Sequence, residues 1–261
     1  VPSYADDLTL AARLADAADA ITTARFRARD LKVERKPDRT PVTDADTAVE
    51  DAVRALLAAE RPGDGIAGEE RGGTGWSQGR TWILDPIDGT KNFLRGLPVW
   101  ATLIALVEDG NAVVGMVSAP LLERRWWASL GEGAWLRDAT GDRRISVSGV
   151  SSLSDAYVST THLGSWTEYH SREAYLALTD ACWENRAFGD FWQHCLVAEG
   201  AIDLAAEPIV NAWDVAPMQI LLTEAGGSFS DLSGKVTFDG GNALSSNGHL
   251  HDAALSILQR R

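Results

Sequence analysis

The sequence predicts a layered α/β sandwich made of two closely joined halves. Three observations carry that expectation. Residues 1–145 open with two helical patterns and run on into a series of strand-like segments. Residues 146–261 alternate strand and helix. The pattern changes near 140–150, and no Pro- or Ser-rich linker marks the change, so the halves 1–145 and 146–261 are expected to pack tightly. The 261 residues suffice for one large domain or two joined ones, at about 100–200 residues each.

Taken in order, residues 3–29 read as an amphipathic helix. Leu8, Ala11, Leu14, Ala15, Ala18 and Ile21 recur at three-to-four spacing, and Ser3 with Asp6 resembles a capping box. A charged loop with two prolines follows, from Lys36 through Asp38 and Arg39 to Pro41. A second helix starts at Thr43, with Asp46 three residues on, and stops at Arg61-Pro62-Gly63. After the loop Arg71-Gly72-Gly73-Thr74-Gly75, Trp82-Ile83-Leu84 is a short buried strand. Strands at 99–107, 112–119 and 125–130 and one more after Gly133 form an antiparallel meander. The second half reads as strands near 156–160, 183–188, 202–205, 228–231 and 243–246. Its helices fall near 168–180, 190–199 and 214–225 and from 249 on.

Composition narrows the function. Apolar residues make 45% and charged residues 23%, which suits a globular chain and excludes disorder. The longest apolar runs are far too short for a membrane span, and no basic-then-apolar leader is visible. The net charge of −13 repels nucleic acid phosphates, so nucleic acid is not an expected partner. The same charge repels an anionic substrate unless cations in the site invert the local field. Cys182 and Cys195 form no disulfide framework or zinc spacing and read as small buried residues in a reducing, cytoplasmic compartment. The five histidines show no ligand spacing, and His249 and His251 are expected to be exposed at a helix start.

Three acidic clusters remain, each at the end of an apolar segment. They are Gly68-Glu69-Glu70, Asp85-Pro86-Ile87-Asp88-Gly89-Thr90 and Trp213-Asp214. Acids buried there need a cationic partner, and hard oxygen ligands suit Mg²⁺. Singly, each has a plainer reading: Asp88-Gly89 as a turn, Asp214 as a helix cap. Together they suggest phosphate ester chemistry. A helix starting near Thr90 would offer its amides to a phosphate, and metal ions would neutralise charge and activate water.

The segment Trp82 to Phe93, with Gly68-Glu69-Glu70 and Trp213-Asp214 in the same order, resembles the inositol monophosphatase family over essentially the whole chain. The long segment is a specific signature; the short ones mean little alone. The resemblance implies an αβαβα sandwich of the inositol monophosphatase and fructose-bisphosphatase type. It implies a Mg²⁺-dependent, lithium-sensitive phosphatase with two or three ions per site, Mn²⁺ being possible, and a homodimer. By matching positions, Glu69, Asp85 and the Ile87 carbonyl would hold one ion, and Asp85, Asp88 and Asp214 a second. Asp88 and the amides of Gly89 and Thr90 would receive phosphate. Glu69, Thr90 and Asp46 would be catalytic, with Asp46 pairing with the Thr90 hydroxyl to orient the attacking water. Asp46 also fits a capping box with Thr43. Lys36 would ride a mobile loop closing over the ions, and it also reads as a solvated loop lysine.

The motifs give the reaction and leave the alcohol open. Asp190 follows Gly189 where inositol phosphatases usually carry a small hydroxyl residue or alanine, and two aromatics follow it. Glu207 falls at a family substrate position. Two acids suit a cationic, ring-bearing alcohol. With the run Arg124-Arg125-Trp126-Trp127, this resembles the branch that hydrolyses L-histidinol phosphate in histidine biosynthesis, found in actinobacteria and plants. Arg186, Asp190, Glu207 and Asp214 are then the expected substrate contacts. Asp190 also reads as a helix cap, and Arg186 as a surface residue or a contact across a subunit boundary. Trp126 and Trp127 read as core or dimer interface. The alternatives are an inositol-1-phosphate or another small phosphomonoester phosphatase, including a 3′-phosphoadenosine-phosphate phosphatase. In a different class stands a non-catalytic protein-binding regulator.

Overall fold

The computed structural model describes residues 3–37, 40–73 and 75–260. Asp38 and Arg39 of the charged loop, and Thr74 of the glycine-rich one, lie outside the described residues. Helix α1 (Ala5–Arg25) turns Leu10, Leu14 and Ala18 inward. It ends at Arg25 rather than Arg29, and Tyr4, without a side-chain cap bond, replaces the expected Ser3 cap. A hairpin of β1 (Val33–Arg35) and β2 (Pro41–Thr43) leads into α2 (Asp44–Glu60). Here the capping box of Thr43 and Asp46 forms as the sequence signals.

The first sheet holds β3 (Gly65–Gly68), β4 (Gly72–Gly73), β5 (Arg80–Asp88), β6 (Ala101–Glu108), β7 (Asn111–Ala119), β8 (Arg124–Ser129), β9 (Gly133–Asp138) and β10 (Gly141–Ile145). Its order is β10-β9-β8-β7-β6-β5-β3-β4; β3 runs parallel to β5, and the other pairs are antiparallel. Both faces are covered, which is why the central strands read as apolar runs rather than alternations. Trp82, Leu84, Ile104 and Leu106 meet α1 and α2 on one face. Ile83, Leu103, Ala105 and Trp126 face the other way. Trp126 is thus core, its indole N–H donating to Glu199 at 2.8 Å, while Trp127 is half-buried and stacks on Trp135.

The short helix α3 (Thr90–Arg95) follows β5. The second half gives β11 (Tyr157–Ser159), α4 (Leu163–Tyr169), α5 (Arg172–Ala181), β12 (Glu184–Arg186), α6 (Asp190–Ala198), β13 (Leu204–Glu207), α7 (Ala212–Glu224), β14 (Ser228–Ser230), β15 (Ala243–Ser246) and α8 (His251–Leu258). The single helix expected near 168–180 is two, because the Ser171 hydroxyl caps a new start by accepting from the Ala174 amide. The second sheet runs β12-β11-β13-β15-β14. Helices α6 and α7 lie between the sheets in one shared core, and α4, α5 and α8 cover the outer face. The layers are therefore α, β, α, β, α. His251 is drawn inward, contrary to expectation, by Ser230 and Ser246 at 2.9 and 2.8 Å. The ends of β3, β5 and β13 and the starts of α3, α6 and α7 supply the side chains described next.

A candidate metal and phosphate site

Asp85 and Asp88 stand three residues apart, which in a regular strand would point them to opposite faces. The β5–β6 register shifts between them: Asp85 pairs with Leu103 and Asp88 with Ala101. That irregularity, at the non-donating Pro86, puts both acids on one side. Gly89 then takes φ +83°, a conformation open to glycine, and caps α3. The cap Gly89 and the first-turn residues Thr90 and Lys91 line a cavity of about 220 Å³ together with Glu69, Asp85, Ile87, Asp88 and Asp214.

Asp214 arrives from the first turn of α7, where its Oδ2 accepts from the Asn211 amide at 2.7 Å. Asn211 is the cap and Asp214 its partner three residues on, so the acid is not itself the cap. Among the described residues, one carboxylate oxygen each from Asp85, Asp88 and Asp214 lie within 4.8 Å of one another. Burial pushes Asp85 well above the usual carboxylate range, and the charges of Glu69, Asp88 and Asp214 push the same way. Burial likewise raises Asp88, with Asp190 and Asp214 adding repulsion. Asp214 is pushed up to about 7, chiefly by burial. Unneutralised charge shared by buried oxygens is the condition that a hard divalent cation relieves, so this donor set fits one.

Glu69 sits at the rim, and Lys36 Nζ stands 2.6 Å from its Oε1 and 2.7 Å from Oε1 of Glu70. Burial lowers the Lys36 pKa, but the hydrogen bonds to both acids outweigh it and hold the ammonium charged. Asp46 is fully buried. Its Oδ2 accepts from the Thr43 amide at 2.7 Å and hydroxyl at 2.5 Å, while its Oδ1 has no partner among the described residues. Burial raises it to about 7. The Thr90 hydroxyl donates to the Ile87 carbonyl at 2.8 Å and not to Asp46, so the expected Asp46–Thr90 pair is not formed in this structure. The carbonyl lies closer along the chain and satisfies the hydroxyl locally.

A second cavity of about 220 Å³ opens from the first and shares Asp88, Lys91, Asp190 and Asp214 with it. Asp190 begins α6 at φ +46°, its Oδ2 accepting from Asn92 Nδ2 at 3.0 Å. Burial raises its pKa, with Lys91 and Asn92 opposing. Glu207 ends β13 and takes hydrogen bonds from the Thr161 amide and hydroxyl and from Gln193. Burial still pushes it up to about 7. Arg186 is not brought to either cavity. It lies exposed on β12, the edge strand of the second sheet, and its Nη1 donates to Glu184 at 2.6 Å. Sequence reasoning missed Lys91, His162 and His194 as lining residues. Lys91 lay within the long motif without a role, and His194 falls one helical turn after Asp190. His194 is fully buried, bound through Nδ1 to Ser245 at 2.7 Å, and its pKa is depressed to about 4.

The inositol monophosphatase family pattern matches residues 4–261. The histidinol-phosphatase of Mycobacterium tuberculosis is 54% identical over 97% of this chain and 98% of its own length. That of Streptomyces coelicolor is 52% identical over 100% of both chains. The solved inositol monophosphatase from Zymomonas mobilis shares the fold at a TM-score of 0.86 and 32% identity, covering 100% of each chain.

Proposed function

The chain belongs to the inositol monophosphatase family, and from that premise we propose that it is a divalent-metal-dependent phosphatase that hydrolyses L-histidinol phosphate to L-histidinol and phosphate. One observation carries the choice of alcohol: Asp190 and Glu207 line a cavity that shares Asp88 and Asp214 with the acidic cluster. The two relatives above 50% identity support it. The bound ester would span both cavities, with its phosphate against the acid cluster and its amino alcohol toward Asp190 and Glu207.

Glu69, Asp85, Asp88, Asp214 and the Ile87 carbonyl would hold two Mg²⁺ ions, with a third shared weakly through Glu69; Mn²⁺ has the same ligand preference. Bound there, the ions neutralise the ester and lower the pKa of water. The amides of Gly89 and Thr90 hold the phosphate oxygens by hydrogen bonds. Thr90 would orient the attacking water from the cavity wall, with the buried Asp46 behind it taking the Thr90 hydroxyl once the Ile87 carbonyl is given to an ion, and Glu69 would take up the water's proton. The P–O bond to the alcohol breaks as the new P–O bond to the water oxygen forms, and the proton taken up by Glu69 passes to the leaving alkoxide, so that histidinol and phosphate are released. Lys36 closes over Glu69 from the loop. Asp190 and Glu207 accept from the substrate ammonium, and aromatic Phe191 flanks it. Arg186 would reach a substrate only from the partner in a homodimer. The two unpaired cysteines, one buried and one half-buried, fit a cytoplasmic setting. No helix among the described residues is long and apolar enough to cross a membrane.

A panel of phosphate esters, scored by phosphate released with Mg²⁺, tests the reading. Histidinol phosphate should have the highest kcat/KM. A preference for inositol 1-phosphate would overturn the choice of alcohol and leave the reaction class standing.

A further inference from the structure

Glu50 takes no part in the reading above, yet its surroundings are unusually complete. It lies one turn after Asp46 on α2 and is fully buried. Its Oε2 accepts from the Glu70 amide at 2.8 Å. Its Oε1 accepts from the Arg71 amide at 3.1 Å and from Arg54 Nε at 2.8 Å. Arg54 continues to the Gly72 carbonyl, so helix, turn and the start of β4 form one hydrogen-bonded unit. A buried carboxylate that takes two consecutive amides fixes the turn that carries them.

That turn begins at Glu69. From the other side, the Glu69 amide donates to the carbonyl of Leu84 at 3.1 Å, the residue before Asp85. Glu69 is thus held between two anchors, one on β5 and one on α2. Gly68 completes the device. A Cβ there would collide with the Glu50 carboxylate. The glycine before Glu69 is required for the close approach of Glu50 and not for an unusual backbone angle.

We propose that Glu50 is a positioning residue for divalent-metal binding, fixing the turn that presents Glu69 beside Asp85. The inference rests on the functional reading in which Glu69 is a metal ligand. Glu50 lies behind the turn and touches neither cavity, so its effect reaches the metal only through Glu69. Partners that orient metal ligands change affinity by about ten- to a hundredfold when removed.

The test titrates Mg²⁺ into the full chain by calorimetry, for wild type and Glu50→Gln, with melting temperatures measured in chelator. Glu50→Gln keeps the shape and removes one acceptor and the charge opposite Arg54. Its Mg²⁺ dissociation constant should weaken about ten- to a hundredfold, while kcat at saturating Mg²⁺ returns close to wild type. Val53→Ala, a core truncation on the same helix, should lower the melting temperature and leave the Mg²⁺ constant unchanged. Glu50→Asp, charged but too short to reach both amides, carries the same comparison if Glu50→Gln does not fold. A wild-type Mg²⁺ constant in the Glu50 variant overturns the proposal, as does an equal weakening in Val53→Ala. A wild-type chain that binds no divalent ion overturns the functional reading and this proposal together.

Discussion

The backbone amide of Phe191 donates to Oδ2 of Asp88 at 2.6 Å, across 103 residues of sequence. Phe191 follows Asp190 at the start of α6, and Asp88 ends β5. The helix that carries an acid of the second cavity is therefore tied directly to the acid cluster of the first. Gly89 Cα lies close to the same point, since a Cβ there would come within 3.5 Å of Asp190 Oδ2. A shift of α6 would move both cavities together, so the reacting and recognising ends of a bound ester are held in one frame.

Asp85→Asn should separate function from stability. The amide keeps an oxygen for the Ile87 N–H, now bound at 3.0 Å, and removes one charge from a crowded set. Activity should fall by at least about a hundredfold, equivalent to ~3 kcal/mol of transition-state stabilisation. In chelator at pH 8, the same variant should melt above wild type, because burial and three neighbouring acids disfavour the Asp85 charge. Near-normal turnover by folded Asp85→Asn would remove Asp85 from the metal ligands.

Chelation should abolish activity and added Mg²⁺ restore it, with a linked effect on stability. Asp214 and Asp46, both raised from 3.8 to about 7, take up protons on folding without metal between those two pH values. Their contribution is present below the ordinary carboxylate pKa and is lost as pH rises through about 7. Metal binding reverses the sign at Asp214, since only the ionised form binds. At a hundred times the dissociation constant, Mg²⁺ should add ~2.7 kcal/mol at pH 8, about 5–10 °C in melting temperature. The gain should shrink steadily toward pH 5. A gain independent of pH would exclude these carboxylates as the ligands.

The sequence makes the layered fold and the acid set legible to different depths. The α1 and α2 stripes and the Thr43–Asp46 box are local, so short-range spacing finds them. The length of β5 is hidden, because Pro86 reads as a strand stop and the register shift that accommodates it depends on β6. The break between α4 and α5 turns on one serine cap in an otherwise helical run. At the site, Glu69, Asp85, Asp88 and Asp214 could be named from motifs that lie at strand ends and a helix start. Glu50 and His194 could not, since each looks like an ordinary residue within a helix and matters through partners distant in sequence. Arg186 stands out in the sequence by its chemistry alone, and only the fold shows it exposed on an edge strand and lining neither cavity.

His194 should make the fold acid-sensitive. Burial lowers its pKa from 6.5 to about 4, so the unfolded chain takes up the proton first as pH falls. Its contribution is fully present above about 6.5 and is lost between there and about 4, ~3 kcal/mol in all. Glu207, raised to about 7, works in the opposite sense over part of that range. The comparison that isolates His194 is urea unfolding of wild type against His194→Gln. The difference in stability between the two should change by most of that amount from pH 7 to pH 4.5. A constant difference would mean that His194 titrates alike in both states.

Asp190 gives the sharpest test of substrate choice. Its φ of +46° is strained for alanine and tolerated by asparagine, so Asp190→Asn removes the charge while keeping the backbone and the Asn92 contact. Losing one partner of a buried, charge-assisted pair altogether costs ~2–5 kcal/mol, and asparagine, which keeps an uncharged acceptor, forfeits roughly half of that. At about 1.4 kcal/mol per decade, kcat/KM for histidinol phosphate should fall by about five- to sixtyfold. An ester without an ammonium group, such as p-nitrophenyl phosphate, should be nearly unaffected, because the acid cluster and the Gly89 and Thr90 amides are untouched. If both esters lose activity equally, Asp190 acts by seating α6 against Asp88 rather than by meeting the substrate. Asp190→Ala then adds a second reading. Extra loss on both esters beyond the asparagine variant measures the backbone strain at the start of α6, and extra loss on histidinol phosphate alone measures the hydrogen bond that asparagine still supplies.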